Sequence, residues 1–208
     1  MKKIMFDDRF GLTQAVLDGT KTMTRRLVPK DFDPSDFKSD LDFIRKVSRF
    51  QVGEVIAVAQ SYFELGMEFV DHADPTFRRK RVPQWGFTLR MKGWANKMYV
   101  RADVMPHQIR ITDIRVERLQ DISDEDCIME GIEEDDPYYW VPINMNRPNW
   151  RKLNEAVSDM YPNRDGKVYA HFWDSPRKAF AALIKKICGE ETWNDNPYVF
   201  VYTFKLVK

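Results

Sequence analysis

The chain has 208 residues, of which 43% are hydrophobic and 31% charged, with 14 Phe, 8 Tyr and 6 Trp. That length lets folding bury roughly 70% of the surface an unfolded chain exposes, and the composition excludes disorder and collagen-like repeats. The formal net charge of +1 provides no global field toward nucleic acid. No apolar run nears the ~20 residues of a membrane helix, and Asp7, Asp8 and Arg9 stand where an apolar signal core would lie, so a cytoplasmic protein without a membrane partner is expected.

In chain order, Phe10 to Asp18 reads as a short helix with Leu12, Ala15 and Val16 on one face and Gly19 at its end. Thr22 to Val28 is extended and stops at Pro29, and a helix is expected over Ser35 to Lys46. Gly53 to Gln60 is short and apolar on both faces, as in a buried strand. In His107 to Leu119 the alternation Ile109, Ile111 changes phase at Thr112-Asp113 to Ile114, Val116, which predicts a bulge there. Ser123 is placed to cap a helix with Asp126 at its third position and Gly131 at its end.

Glu133 to Arg151 holds Pro137, Pro142 and Pro148 and reads as an irregular excursion carrying Tyr138, Tyr139 and Trp140. Pro176 to Cys188, with Ser175 before it and Gly189 after it, is the clearest helix, its apolar face being Phe180, Leu183, Ile184 and Ile187. Tyr198 to Val207 alternates aromatic and β-branched residues, the pattern of a central strand buried on both faces. Strands with helices at irregular spacing point to an α+β fold, a mostly antiparallel sheet or small barrel.

Charge is segregated beneath the neutral average. Pro75 to Ala102 carries eight bases, including Arg78, Arg79, Arg81, Lys97 and Arg101, and no acid; Leu119 to Asn146 carries nine acids and no Lys or Arg. A basic stretch interleaved with Trp85, Phe87, Trp94 and Tyr99 has the parts of a nucleic-acid surface. It reads equally as a solvated loop, or as a face neutralised by the acidic stretch. Two cysteines, Cys127 and Cys188, are too few for a disulfide framework and read as reduced thiols. There is no GxG, HExxH or GxSxG, and His72, His107 and His171 lie far apart, so neither a metal nor a cofactor is expected. What remains is Gly19-Thr20-Lys21-Thr22-Met23-Thr24-Arg25-Arg26, where hydroxyls and three cations follow a helix end; this suits an anion or a polar ring, and equally a plain strand with solvated arginines.

Three stretches of the chain resemble the ASCH domains of the PUA-like superfamily, in particular the longer members found in phages and prophages. Ala15 to Arg26 is similar to that family's helix, glycine and lysine-threonine-arginine strand. Gly53-Glu54-Val55, followed by Ile111 to Gly131, resembles its strand and short helix ending in a glutamate, and Trp193 with Asn196 to Val201 resembles its closing strand. The resemblance covers about half the chain. It implies a single domain over 1–208, a small twisted β-barrel with flanking helices and a base-binding cleft, with insertions at about 63–105 and 133–186.

Some short bacterial members of the family deacetylate N4-acetylcytidine with a lysine, a threonine and a glutamate, which the resemblance places on Lys21, Thr24 and Glu130. Thr22, Arg25, Arg26, Arg78, Arg79 and Arg81 are then the expected ligand-binding residues, and a nucleoside or single-stranded RNA the expected partner. The leading reading is a nucleotide- or RNA-binding domain. Amide hydrolysis of an acylated cytidine is the second, and a phage-encoded protein-interaction module using Tyr138, Tyr139 and Trp140 is the third.

Overall fold

The computed structural model describes residues 1–65, 93, 95–135, 137–141 and 173–207. Among these, five strands form one mixed sheet in the order β1-β3-β4-β7-β2, where β1 is Lys3–Ile4, β2 Met23–Leu27, β3 Val55–Val58, β4 Gln108–Arg118 and β7 Tyr198–Leu206. Only the β1–β3 pair is parallel. Among the described residues the sheet is open, with β1 and β2 at its edges, so the α+β class holds and the strands do not close on themselves as the expected barrel would.

The long central strand β7 pairs with β4 on one side and β2 on the other, and its aromatics Phe200, Tyr202 and Phe204 share a face. On β4 the register shifts between Ile111 and Asp113, leaving Thr112 as the extra residue of the expected bulge. The insertion keeps Ile109, Ile111 and Ile114 on the aromatic face, each opposite Leu206, Phe204 and Tyr202 respectively. It therefore turns Arg115 and Glu117 to the other face, in the rows of Val201 and Val199.

The helices α1 (Leu12–Leu17), α2 (Asp40–Val47), α3 (Asp124–Met129), α4 (Pro176–Cys188) and α5 (Glu190–Asp195) cover the sheet. Phe43 of α2 stacks on Phe200 at 5.3 Å on the aromatic face, whereas α3 packs against β2 and α4 on the opposite face. The caps expected at Ser123 and Ser175 form, each side chain accepting from the amide three residues on.

Two expectations need correction, and one helix lies outside them. The helix placed over Ser35 to Lys46 starts only at Asp40, because Ser39 caps it through the amide of Asp42, and Pro34–Asp36 forms a separate 3-10 turn capped by Asp33. Glu133 to Arg151 begins as a hairpin, β5 (Glu133–Asp135) against β6 (Tyr138–Trp140), with Glu133 opposite Trp140 and Glu134 opposite Tyr139; 142–151 lies outside the described residues. Helix α5 has no counterpart in the sequence patterns, and Asn196 ends it in the left-handed region at φ 47°. Within the insertion expected at 63–105, residues from Asn96 onward form two 3-10 turns whose Val100 and Met105 pack with Ala57, Ala59 and Tyr62 in a second small core.

Candidate functional site at the edge of strand β2

Gly19, at φ 77°, reverses the chain after α1. The freed carbonyl of Ala15 then accepts from the Lys21 amide at 2.9 Å and from the Thr20 hydroxyl at 3.1 Å. Lys21 thus lies in the loop before β2 rather than in the strand. Its neighbour Thr22 donates its amide to the Met129 carbonyl at 3.0 Å and accepts from the Phe204 amide at 2.9 Å, so this loop ties the end of α3 to the sheet.

Across that tie, Lys21 Nζ donates to the Glu130 carbonyl at 2.6 Å and to Glu130 Oε2 at 2.5 Å. The two residues are 2% and 5% exposed, and a pair so far from water persists only when both charges are compensated. Arg25 supplies the rest: its Nη1 reaches Glu130 Oε1 at 3.2 Å, and its Nη2 reaches Glu117 Oε1 and Asp126 Oδ2 at 2.6 Å each. Arg115 closes the network, bonding Glu117 at 3.0 Å and Asp126. Three cations meet three carboxylates.

The β4 bulge makes this possible, because it sets Arg115 and Glu117 on the face of Arg25, with only the small Val199 and Val201 of β7 between the strands. Gly131, at φ 101°, ends α3 in a conformation that side chains rarely adopt; a Cβ there would press on Leu12 at 3.3 Å while touching the Lys21 stem at an ordinary 3.6 Å. Burial lowers the Lys21 pKa from its usual 10.5, with Arg26 and Arg25 adding to the effect against the pull of Glu130. For Arg25 burial works the same way, but Glu130 and the other carboxylates outweigh it and hold the guanidinium's pKa above its usual value.

Thr24 and Arg26 point to the opposite, aromatic face of β2, in the rows of Tyr202 and Phe200. Thr24 is buried, yet its hydroxyl bonds no protein group among the described residues. Phe6 joins the two sides. It packs on Phe204 at 5.8 Å, and both the Lys21 ammonium and the Arg26 guanidinium lie 5.8 Å from its ring. Lys21, Arg25 and Glu130 are thus brought together directly, while Thr24 lies on the other face of β2 from Arg25 and hydrogen-bonds to none of them.

Beside this edge opens a cavity of about 490 Å³, lined by both arginines together with Lys3, Arg49, Phe50 and Tyr202 among others. Lys21, Thr24 and Glu130 do not line it.

Arg78, Arg79 and Arg81 lie outside the described residues, as do His72 and His171. Lys97, counted with the basic stretch, is committed to the fold: its Nζ donates to the Phe6 carbonyl at 2.7 Å and to the Thr13 hydroxyl at 2.8 Å and pairs with the buried Asp8. The acids Asp126 and Glu130 are neutralised by Lys21, Arg25 and Arg115, none of which belongs to the basic stretch. Tyr138, Tyr139 and Trp140 do not form one exposed patch, since Tyr138 faces solvent while Tyr139 packs on the core and pairs with Trp173.

Sequence reasoning missed Glu117 and Asp126 as partners of Arg25, and Arg115 as a second cation on both, because alternation marks Arg115 and Glu117 only as a polar face of β4 and the cap pattern marks Asp126 only as a first-turn helix residue. It also missed the cavity walls Lys3, Arg49 and Phe50, which no motif links. Among the described residues no group of three or more His, Cys, Asp and Glu could hold a metal ion, and no helix is long and apolar enough to cross a membrane. Comparison with protein-family models, curated proteins and solved structures gave no match to this chain.

Proposed function

We propose that the chain is an ASCH-type, PUA-like domain that binds a nucleoside or single-stranded RNA at the edge of β2. The observation that carries this reading is the cavity of about 490 Å³ beside Arg25 and Arg26, within the ~300–1,000 Å³ typical of small-molecule sites. It lies along the strand that bears the family-like lysine-threonine-arginine run. The arginines offer donors to the carbonyl groups of a base, and the buried rings of Phe50 and Tyr202 form part of the apolar wall behind it. The test is a titration of cytidine and of a single-stranded RNA oligomer, followed by tryptophan or tyrosine fluorescence. Binding weakened by Arg26→Ala is expected; no binding of either ligand at millimolar concentration overturns the reading.

The Lys21–Glu130 contact favours a second reading, hydrolysis of the exocyclic amide of an N4-acetylcytidine-like nucleoside. A desolvated lysine with a lowered pKa can take the proton of the Thr24 hydroxyl. The freed oxygen attacks the acetyl carbon, the carbon–nitrogen bond breaks, and the proton passes to the departing N4 amine. Water then releases acetate from Thr24. Incubation with N4-acetylcytidine is expected to yield cytidine and acetate, with turnover lost in Thr24→Ala and Lys21→Met; equal turnover in those variants refutes the trio.

A further inference from the structure

The cavity beside β2 has a one-sided electrostatic make-up. Among its described lining residues are four cations, Lys3, Arg25, Arg26 and Arg49, and no Asp or Glu. Among the described residues, Arg25 is the only one of the four with a carboxylate in salt-bridge contact. Lys3 Nζ donates to the Met98 and Val100 carbonyls, Arg26 Nη2 to the Met5 carbonyl, and Arg49 Nη2 to the Lys3 carbonyl at 3.4 Å. Three cations therefore line one cavity with no carboxylate in salt-bridge contact among the described residues, Glu130 acting on Arg26 only at longer range, so a bound anion gains attraction from all three. Burial and the nearby Arg49 lower the Lys3 pKa, as such crowding requires.

The strand edge adds a second kind of recognition. Phe204 N–H donates to Thr22 and Val28 N–H donates to Tyr198, which fixes the phase of the β2–β7 ladder. Thr22, Thr24, Arg26 and Val28 bond to β7, so the backbone N–H and C=O groups of Arg25 and Leu27 point away from it. Both residues line the cavity, and among the described residues those outward groups have no partner. An edge of this kind matches the alternating donors and acceptors on the rim of a planar heterocycle.

The geometry points to a ligand that combines a planar heterocycle, bonded to the backbone edge of Arg25 and Leu27, with a phosphate held by Lys3, Arg26 and Arg49. This rests on the binding proposal above and narrows it: the cavity selects a phosphorylated nucleotide over a free nucleoside. The phosphate is a monoester in a mononucleotide and a diester in RNA, and the experiment separates these sources.

The test titrates the full chain with cytidine, cytidine 5′-monophosphate, a single-stranded tetranucleotide lacking a terminal phosphate, and inorganic phosphate. A single charge-assisted hydrogen bond to the phosphate is expected to make the monophosphate or the tetranucleotide bind about tenfold or more tighter than cytidine at low salt, with the advantage shrinking as salt rises. A tighter monophosphate assigns the site to mononucleotides, and a tighter tetranucleotide assigns it to RNA. Arg49→Ala, at an exposed position, is expected to erase most of the advantage while cytidine binding persists; Arg101→Ala, whose partner Asp103 lies outside the cavity, is expected to leave it intact. Cys188 lines the cavity and is exposed, so its alkylation is expected to slow when the phosphorylated ligand is bound. Cytidine bound as tightly as both phosphorylated ligands overturns the phosphate inference alone. No binding by any of them overturns the nucleoside reading as well.

Discussion

The Lys21–Glu130 contact can be perturbed one charge at a time. Glu130→Gln keeps the shape of the side chain and an oxygen for Lys21, but removes the charge that compensates an ammonium 2% exposed and one of the three carboxylates on Arg25. Losing one partner of a buried pair costs about 3–5 kcal/mol. For a chain of this length that is a fall of roughly 6–20 °C in melting temperature. Lys21→Met removes the other charge while Glu130 keeps Arg25 at 3.2 Å, so its cost is expected to be smaller. In the double variant Lys21→Met/Glu130→Gln no uncompensated charge remains at position 21, and Arg25 keeps Glu117 and Asp126. Its loss should fall short of the sum of the single losses by about 1–3 kcal/mol, the coupling expected of groups in direct contact. Urea denaturation followed by circular dichroism measures all three. Additive losses, or a Glu130→Gln variant within about 0.5 kcal/mol of the parent, would refute the reasoning that this is a mutually dependent buried pair.

Further outcomes follow from the same geometry. Gly131→Ala forces a side chain into φ 101° and against Leu12 at 3.3 Å, which should cost about 1–3 kcal/mol; an unchanged urea midpoint would contradict it. Cys127 is buried and its thiol is pushed up to about 12 by desolvation, so in native protein at pH 8 iodoacetamide should modify Cys188 alone, and Cys127 only after unfolding. Lys21 has a folded pKa below 10.5, so between that folded value and 10.5 the unfolded chain binds more protons than the native one. Stability should therefore rise with pH across that window through Lys21; Lys21→Met should flatten that part of the profile, and identical slopes in the two proteins would argue against a perturbed lysine.

The parts of this fold that were legible in the sequence rest on local patterns. β7 declares itself by aromatic alternation, α4 by Ser175, Pro176 and Gly189, and the β4 bulge by a phase change that the Ile111/Asp113 register shift matches. Ser123 and Asp126 likewise mark the start of α3. What alternation cannot supply is which strand neighbours which. β2 lies against β7, separated by most of the chain, and this pairing puts Arg25 within reach of Glu117, Asp126 and Glu130. The same limit applies to the cavity, whose cations come from β1, β2 and the turn after α2. Composition also misleads about Lys97, since a cation that pairs with a buried Asp8 is indistinguishable in a sequence from one that awaits a phosphate. The sheet, open among the described residues, is a further case: strand-rich alternation is common to sheets and barrels, and the pairing of the edge strands separates them.

The central claim is that ligand binds along the outer edge of β2. Backbone amide chemical shifts of isotope-labelled protein, recorded during a titration with cytidine 5′-monophosphate, test it directly. The account predicts that the largest saturable changes fall on the outward amides of Arg25 and Leu27 and on the cavity residues Arg49 and Phe50. Saturable changes confined to residues remote from β2, or none at all, would contradict it.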